Sequence, residues 1–171
     1  MIRFSATLCL AITLAGCAAP EGPATHLEKA NLLPLAIDDS YQFRKTLQNP
    51  VNNNLMLPST TSEVVSFERS RDTWGAVDSA EIARRNGNYY IFFWRNSKRS
   101  DITFRFEYRQ ADLGNYVMAQ ERHYPDARGS HKSSFAVADD DFLENGRVTA
   151  WRALLIVDGR IVGLNQSFMW R

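Results

Sequence analysis

Cysteine is confined to the first 17 positions of this 171-residue chain: Cys9 and Cys17 are present and none follows. A domain folded from the later residues therefore has no disulfide, no thiolate nucleophile and no cysteine zinc site. An excess of one charge is also missing, with 20 Lys and Arg against 19 Asp and Glu. Proteins that grip a phosphate backbone usually carry a basic surplus or stripe, so no nucleic-acid partner is expected. The apolar run Phe4–Leu14 falls short of the roughly 20 residues that span a bilayer, which argues against a permanent transmembrane helix. Internal repeats and sustained helical periodicity are absent too.

What the chain does have is a strong N-terminal signal. Arg3 supplies a positive start, Phe4 to Leu14 an apolar stretch, and Ala15-Gly16 two small residues of the kind a peptidase accepts. Leu14-Ala15-Gly16-Cys17 closes the run. This tetrapeptide resembles the lipobox of bacterial lipoproteins. The resemblance implies cleavage by signal peptidase II between Gly16 and Cys17, and a covalent diacylglycerol on the Cys17 sulfur. It implies a membrane-lipid partner through Cys17. Ala18 in place of aspartate implies sorting to the outer membrane, facing the periplasm. Loss of residues 1–16 removes Arg3, the one charge there, and leaves 155 residues with 19 basic and 19 acidic side chains. No polybasic patch then assists the acyl chains, of which two or three make membrane release slow.

Residues 18 to about 36, with Pro20, Gly22 and Pro23, read as a tether that lifts a domain off the lipid. Asp38-Asp39-Ser40 followed by Tyr41–Leu47 predicts a short helix over 38–48, stopped by Pro50 and Asn52-Asn53-Asn54. The division expected is a signal peptide 1–16, a lipidated tether 17–59 and a folded domain 60–171.

Within 60–171 the pattern is that of short strands. Residues 62–67 and 74–78 are strand candidates. Residues 79–85 read as a helical turn closed by Gly87, or else Asn86-Gly87 makes a hairpin turn. Tyr89–Trp94 is apolar throughout, as in a strand covered on both faces. In 101–110, Ile102, Phe104, Phe106 and Tyr108 alternate with Thr103, Arg105, Glu107 and Arg109, which predicts one buried and one solvated face. Asn96–Ser100 has the length of a hairpin connection. Further strands are expected over 116–124, ended by Pro125, and over 133–137. The final hairpin, 148–157 and 160–170, is set by Asp158-Gly159, which suits a type I′ turn. A two-residue turn there places Leu155 opposite Val162 and Trp151 opposite Gln166, with Leu164 and Phe168 on the core side.

About seven such strands predict an all-β, antiparallel β-sandwich, with a small barrel as the alternative. By strand pattern the region resembles, loosely, the immunoglobulin-like or fibronectin-like sandwiches of exported lipoproteins. The Cys…Trp…Cys core of true immunoglobulin domains is missing, so the resemblance implies architecture alone.

Candidate sites are few. Asp139, Asp141 and Glu144, with Asp140 and Asn145, offer oxygen ligands suited to calcium, but their spacing is not that of a calcium loop and also fits an acidic turn. His131, Ser133 and Asp139 allow a Ser–His–acid arrangement to be drawn, and His123 lies near a strand end; no nucleophile-elbow sequence accompanies them. Arg95, Arg105, Arg109, Arg122 and Arg152, with Glu107 and Glu121 nearby, fit either a cationic sheet face for an acidic ligand or cross-strand charge pairing. Tyr89, Tyr90 and Tyr116 are the aromatics best placed to meet a ligand such as envelope glycan or lipid. The expectation is an anchored protein that is not an enzyme, needs no cofactor beyond the diacylglycerol, and meets another envelope protein or glycan.

Overall fold

The computed structural model describes residues 22–28, 30–51 and 85–170. Their architecture is all-β and antiparallel. Six strands form one sheet: β1 (Thr25–Leu27), β2 (Tyr41–Val51), β3 (Gly87–Gln110), β4 (Met118–Ala138), β5 (Val148–Val157) and β6 (Arg160–Gln166). Among the described residues one α-helix, α1 (Asp139–Asn145), follows β4. The spatial order is β1-β4-β3-β5-β6, and β2 lies on β3. The strands expected over 62–67 and 74–78 and the turn over 79–85 fall largely outside the described residues.

The central unit is the β3–β4 hairpin, whose pairing runs from Tyr108↔Met118 to Gly87↔Ala138. A straight strand would hold Phe92 and Phe104, twelve residues apart, about 40 Å from each other. Their ring centroids are 5.3 Å apart. The hairpin therefore folds over on itself, and its two halves become the two walls of a sandwich-like body. One edge of β3 is lined by β4 throughout; the other is shared, with β2 on the first half and β5 on the second.

The crease lies where the register slips, between Asn96 and Ser100 and again before Ile102. Asn96–Ser100, expected as a hairpin connection, is instead a bulged bend inside one 24-residue strand. The Asn96 side chain, 1% exposed, explains why the bend is tolerated. Its Nδ2 donates to Lys98 O and to Ala127 O, both at 2.7 Å, and so satisfies carbonyls that the ladder abandons. Pro125 does not end the strand as expected. It sits in the same crease, between Tyr124↔Ile102 and Ala127↔Ser100, where its missing N–H removes no ladder bond.

Even-numbered side chains of β3 face inward in both halves. Tyr90, Phe92 and Trp94 meet Phe104, Phe106 and Tyr108, and Phe135 and Trp151 complete the aromatic core. Such rings supply large buried area in a domain without disulfides. Tyr89, Ile91 and Phe93 are only half-buried, so the first half of β3 is fully covered on one face rather than two.

Several expectations change here. Residues 41–51 are a strand, not part of a helix over 38–48. Tyr41 and Phe43 alternate with polar neighbours and turn toward the core, and pairing with β3 outweighs the local capping signal. Asp38 still caps, but it caps a turn. Its carboxylate accepts from Ser40 N at 2.9 Å and from Lys98 Nζ at 2.7 Å, and Lys98 chiefly holds its pKa down at about 2.

The expected tether is docked from Gly22 onward, so the sheet begins well before position 60. β1 pairs with β4, and residues 34–38 run beside β6 with Ile161 N donating to Pro34 O and Ala36 N to Ile161 O. Leu33 covers a second, outer apolar cluster of Leu154, Ile156 and Ile161. The Asp158-Gly159 turn forms as expected, with φ of 48° and 69° and Val157 opposite Arg160. Beyond it a bulge shifts the register, giving Leu155↔Gly163 and Arg152↔Gln166 in place of the expected pairs. The extra residue sends Leu164 to the outer face, 41% exposed, and Phe168 is 83% exposed.

Candidate functional site

Two surface features and one buried charge cluster stand out. The first is a cavity of about 560 Å³ at the β2–β3–β4 end of the body. Its walls are Leu47 and Val51 from β2, Tyr89, Tyr90 and Ile91 from β3, and Phe135 from β4. Two of the three tyrosines singled out by sequence therefore meet in one place. The Tyr89 hydroxyl donates to Arg85 O at 3.1 Å. Its pKa is raised, mainly by burial and then by the negative charge of Asp139, so the phenol stays neutral. Arg122 closes the rim. It donates from Nε to Ser134 O at 3.0 Å, lies 5.5 Å over the Phe135 ring, and bonds Gly22 O through Nη1.

The second feature is an open groove of about 960 Å³ between β2 and β6. Arg44 and Lys45 line it together with Ile37, Leu164 and Phe168, and no acidic side chain does. Both cations are exposed, and among the described residues neither has an ion-pair partner. A bulge between Phe43 and Lys45 places them side by side on the edge strand. Sequence reading missed this groove, because the bulges that create it leave no periodic signal.

The charge cluster lies on the outer face of β3. Glu107, 3% exposed, is 2.5 Å from Arg152 Nε and 3.7 Å from Arg105 Nη1. Arg105 also bonds Glu121 at 2.6 Å and donates to Asn31 O at 3.0 Å. Arg109 and Arg152 both stack on Trp170, at 4.7 and 4.8 Å. Thus Arg105 and Glu107, expected on a solvated face, are buried beneath the docked N-terminal segment and Trp170. Of the two readings of the arginines, cross-strand pairing describes Arg105 and Arg152. Arg122 ties backbone segments together, and Arg95 is exposed. Tyr116, 57% exposed, lines a separate cavity of about 280 Å³ beside Glu107 and Arg152.

The remaining candidates do not converge. Asp139, Asp141 and Glu144 sit on α1, and among the described residues no three His, Cys, Asp or Glu side chains gather as metal ligands. The Asp141 carbonyl accepts from Gln110 Nε2 at 2.8 Å, while its carboxylate is 3.9 Å from His26. His131, Ser133 and Asp139 share no hydrogen bond. Ser133 is fully buried and its Oγ is engaged by Trp94 Nε1 at 2.8 Å and Tyr124 Oη at 2.6 Å. His131 Nε2 is bonded to Asn96 Oδ1 at 3.0 Å, and its ring stacks on Trp94. His123 is 3.4 Å from Thr103 Oγ1 on the surface. Gly16 and Cys17 precede the described residues. No helix among the described residues is long and apolar enough to cross a membrane. Comparison of the chain with protein families, curated proteins and solved structures gave no match.

Proposed function

We propose that this chain is a lipid-anchored protein of the bacterial envelope whose sheet domain holds a partner protein at the membrane surface without catalysing a reaction. Leu14-Ala15-Gly16-Cys17 supplies the anchor in this reading. The observation that carries the binding role is the β2–β6 groove, where two cations without counter-ions among the described residues flank Ile37, Leu164 and Phe168. Exposed apolar side chains beside uncompensated charge are the mark of a recognition surface more than of a solvated edge. The partner it fits has an acidic and apolar contact face.

The test is a photoreactive benzoylphenylalanine at position 168 in cells. A discrete adduct is expected, reduced at least tenfold by Arg44→Glu with Lys45→Glu. An adduct pattern indifferent to charge reversal rejects the groove. Cys17→Ser should release the protein from the membrane fraction, and its retention there removes the anchor.

A second reading, a module for envelope lipid or glycan, is favoured by the cavity bearing Tyr89 and Tyr90. Titration with lipopolysaccharide or peptidoglycan fragments should then shift amide resonances of 47–51 and 89–91. No shift at millimolar ligand argues against it.

A further inference from the structure

We infer that the cavity between β2, β3 and β4 shelters an acyl chain carried by Cys17 of the same molecule. The inference rests on the lipid-anchor reading and adds to it the place where the lipid goes when it is outside a bilayer.

The first support is reach. Four residues separate Cys17 from Gly22, so the Cα of Cys17 lies within at most about 18 Å of extended chain from that of Gly22. Gly22 is not free to wander. Its carbonyl is held by Arg122, Ala24 packs against the core, and Thr25 pairs with Glu121. Arg122 is also the rim of the cavity. The bond that fixes the start of the docked chain therefore fixes it at the cavity mouth.

The second support is chemistry. The cavity measures about 560 Å³, within the range of roughly 300–1,000 Å³ that accepts small ligands. Leu47, Val51, Ile91 and Phe135 give it aliphatic and aromatic walls matched to a hydrocarbon, with Asn49 and Tyr89 as polar points. The Arg122 guanidinium at the rim suits the ester oxygens of a glyceride, while the walls take the methylenes. Transfer of those methylenes out of water is the driving force, and tethering raises the local concentration of the chain without any further contact.

The experiment uses the full lipidated protein, purified in detergent from cells fed a fatty acid with a terminal diazirine. Mass spectrometry of the N-terminal peptide first reports whether Cys17 carries diacylglycerol; its absence overturns the anchor reading and this inference with it. With Cys17 acylated, irradiation should cross-link the chain within the same molecule to peptides containing 47–51, 89–91 or 134–136. Cross-links to detergent alone, or scattered over other peptides, overturn the inference and leave the anchor standing. Ala136 is exposed at the cavity wall, so Ala136→Trp should fill it and lower those cross-links at least tenfold, and undiminished labelling rejects the site. If that variant misfolds by circular dichroism, the wild-type cross-link map decides. Added diazirine palmitate should label the same peptides in the Cys17→Ser protein but not in the lipidated one. Equal labelling of both rejects occupancy by the molecule's own chain.

Discussion

Trp94 Nε1 donates to Ser133 Oγ at 2.8 Å, a bond between two side chains that are both almost wholly removed from water. The same Oγ meets Tyr124 Oη at 2.6 Å, so one serine joins residues on either side of the crease. Ser133→Ala leaves a buried indole N–H without an acceptor, which costs about 1–3 kcal/mol. The urea midpoint should fall with unchanged slope, and adding Trp94→Phe should cost less than the two single effects together.

Glu107 is expected to matter more than any surface charge. Glu107→Ala strands Arg152 and removes one of two carboxylates from Arg105, a loss of about 3 kcal/mol for a buried pair broken on one side. Thermal unfolding should show it, and moderate salt should leave the wild-type value nearly unchanged, because a covered pair is weakly screened. Replacing Arg105, Glu107 and Arg152 together by apolar residues should restore part of the loss.

Gly87 opens β3 directly against the end of β4. A Cβ there would sit 2.7 Å from both Ala138 Cβ and Val137 O. Gly87→Ala should therefore destabilise by about 1–3 kcal/mol through forced displacement. Amide exchange should speed up first at residues 87–90 and 135–138. Ala138→Gly should rescue only part, since the Val137 carbonyl remains in the way.

His131 provides the pH test. Both Asn96 Nδ2 hydrogens are used on carbonyls, so Asn96 Oδ1 is the acceptor and His131 Nε2 donates. Burial lowers the His131 pKa below 6.5. The unfolded chain then takes up a proton before the folded one does. Its contribution is fully present above about pH 6.5 and declines as pH falls below that value. An NMR titration should give His131 a midpoint under 6.5, and His131→Gln should flatten the stability profile between about pH 6.5 and 5. A midpoint at or above 6.5 contradicts the buried environment.

The alternation of Ile102, Phe104, Phe106 and Tyr108 was readable because period-two patterning survives whatever the strand packs against. The Asp158-Gly159 turn was readable because positive φ at two successive residues restricts composition. What sequence did not convey was continuity. Asn96–Ser100 and Pro125 look like strand ends, and only their meeting across the hairpin, with Asn96 satisfying the exposed carbonyls, makes them a crease. The bulge between Leu155 and Ile156 is equally silent, and it alone decides that Leu164 faces outward. Tyr41–Leu47 follows the capping residues Asp38-Asp39-Ser40, so local preference points to a helix while β3 offers a better set of partners. At the candidate sites, Tyr89 is half-buried in a cavity wall, whereas Tyr90, 4% exposed, belongs to the aromatic core although it too borders that cavity. Arg44, Lys45 and Phe168 become neighbours only through the fold.

Because a single hairpin furnishes both walls, the body opens like a folded card and not like two stacked plates. The walls cannot shear past each other while β3 and β4 stay zipped. Any change of dihedral about the fold line, with the Asn96 amide as its pin, must part the Phe92–Phe104 and Phe106–Phe135 ring contacts between the walls, so the aromatic core holds the card shut.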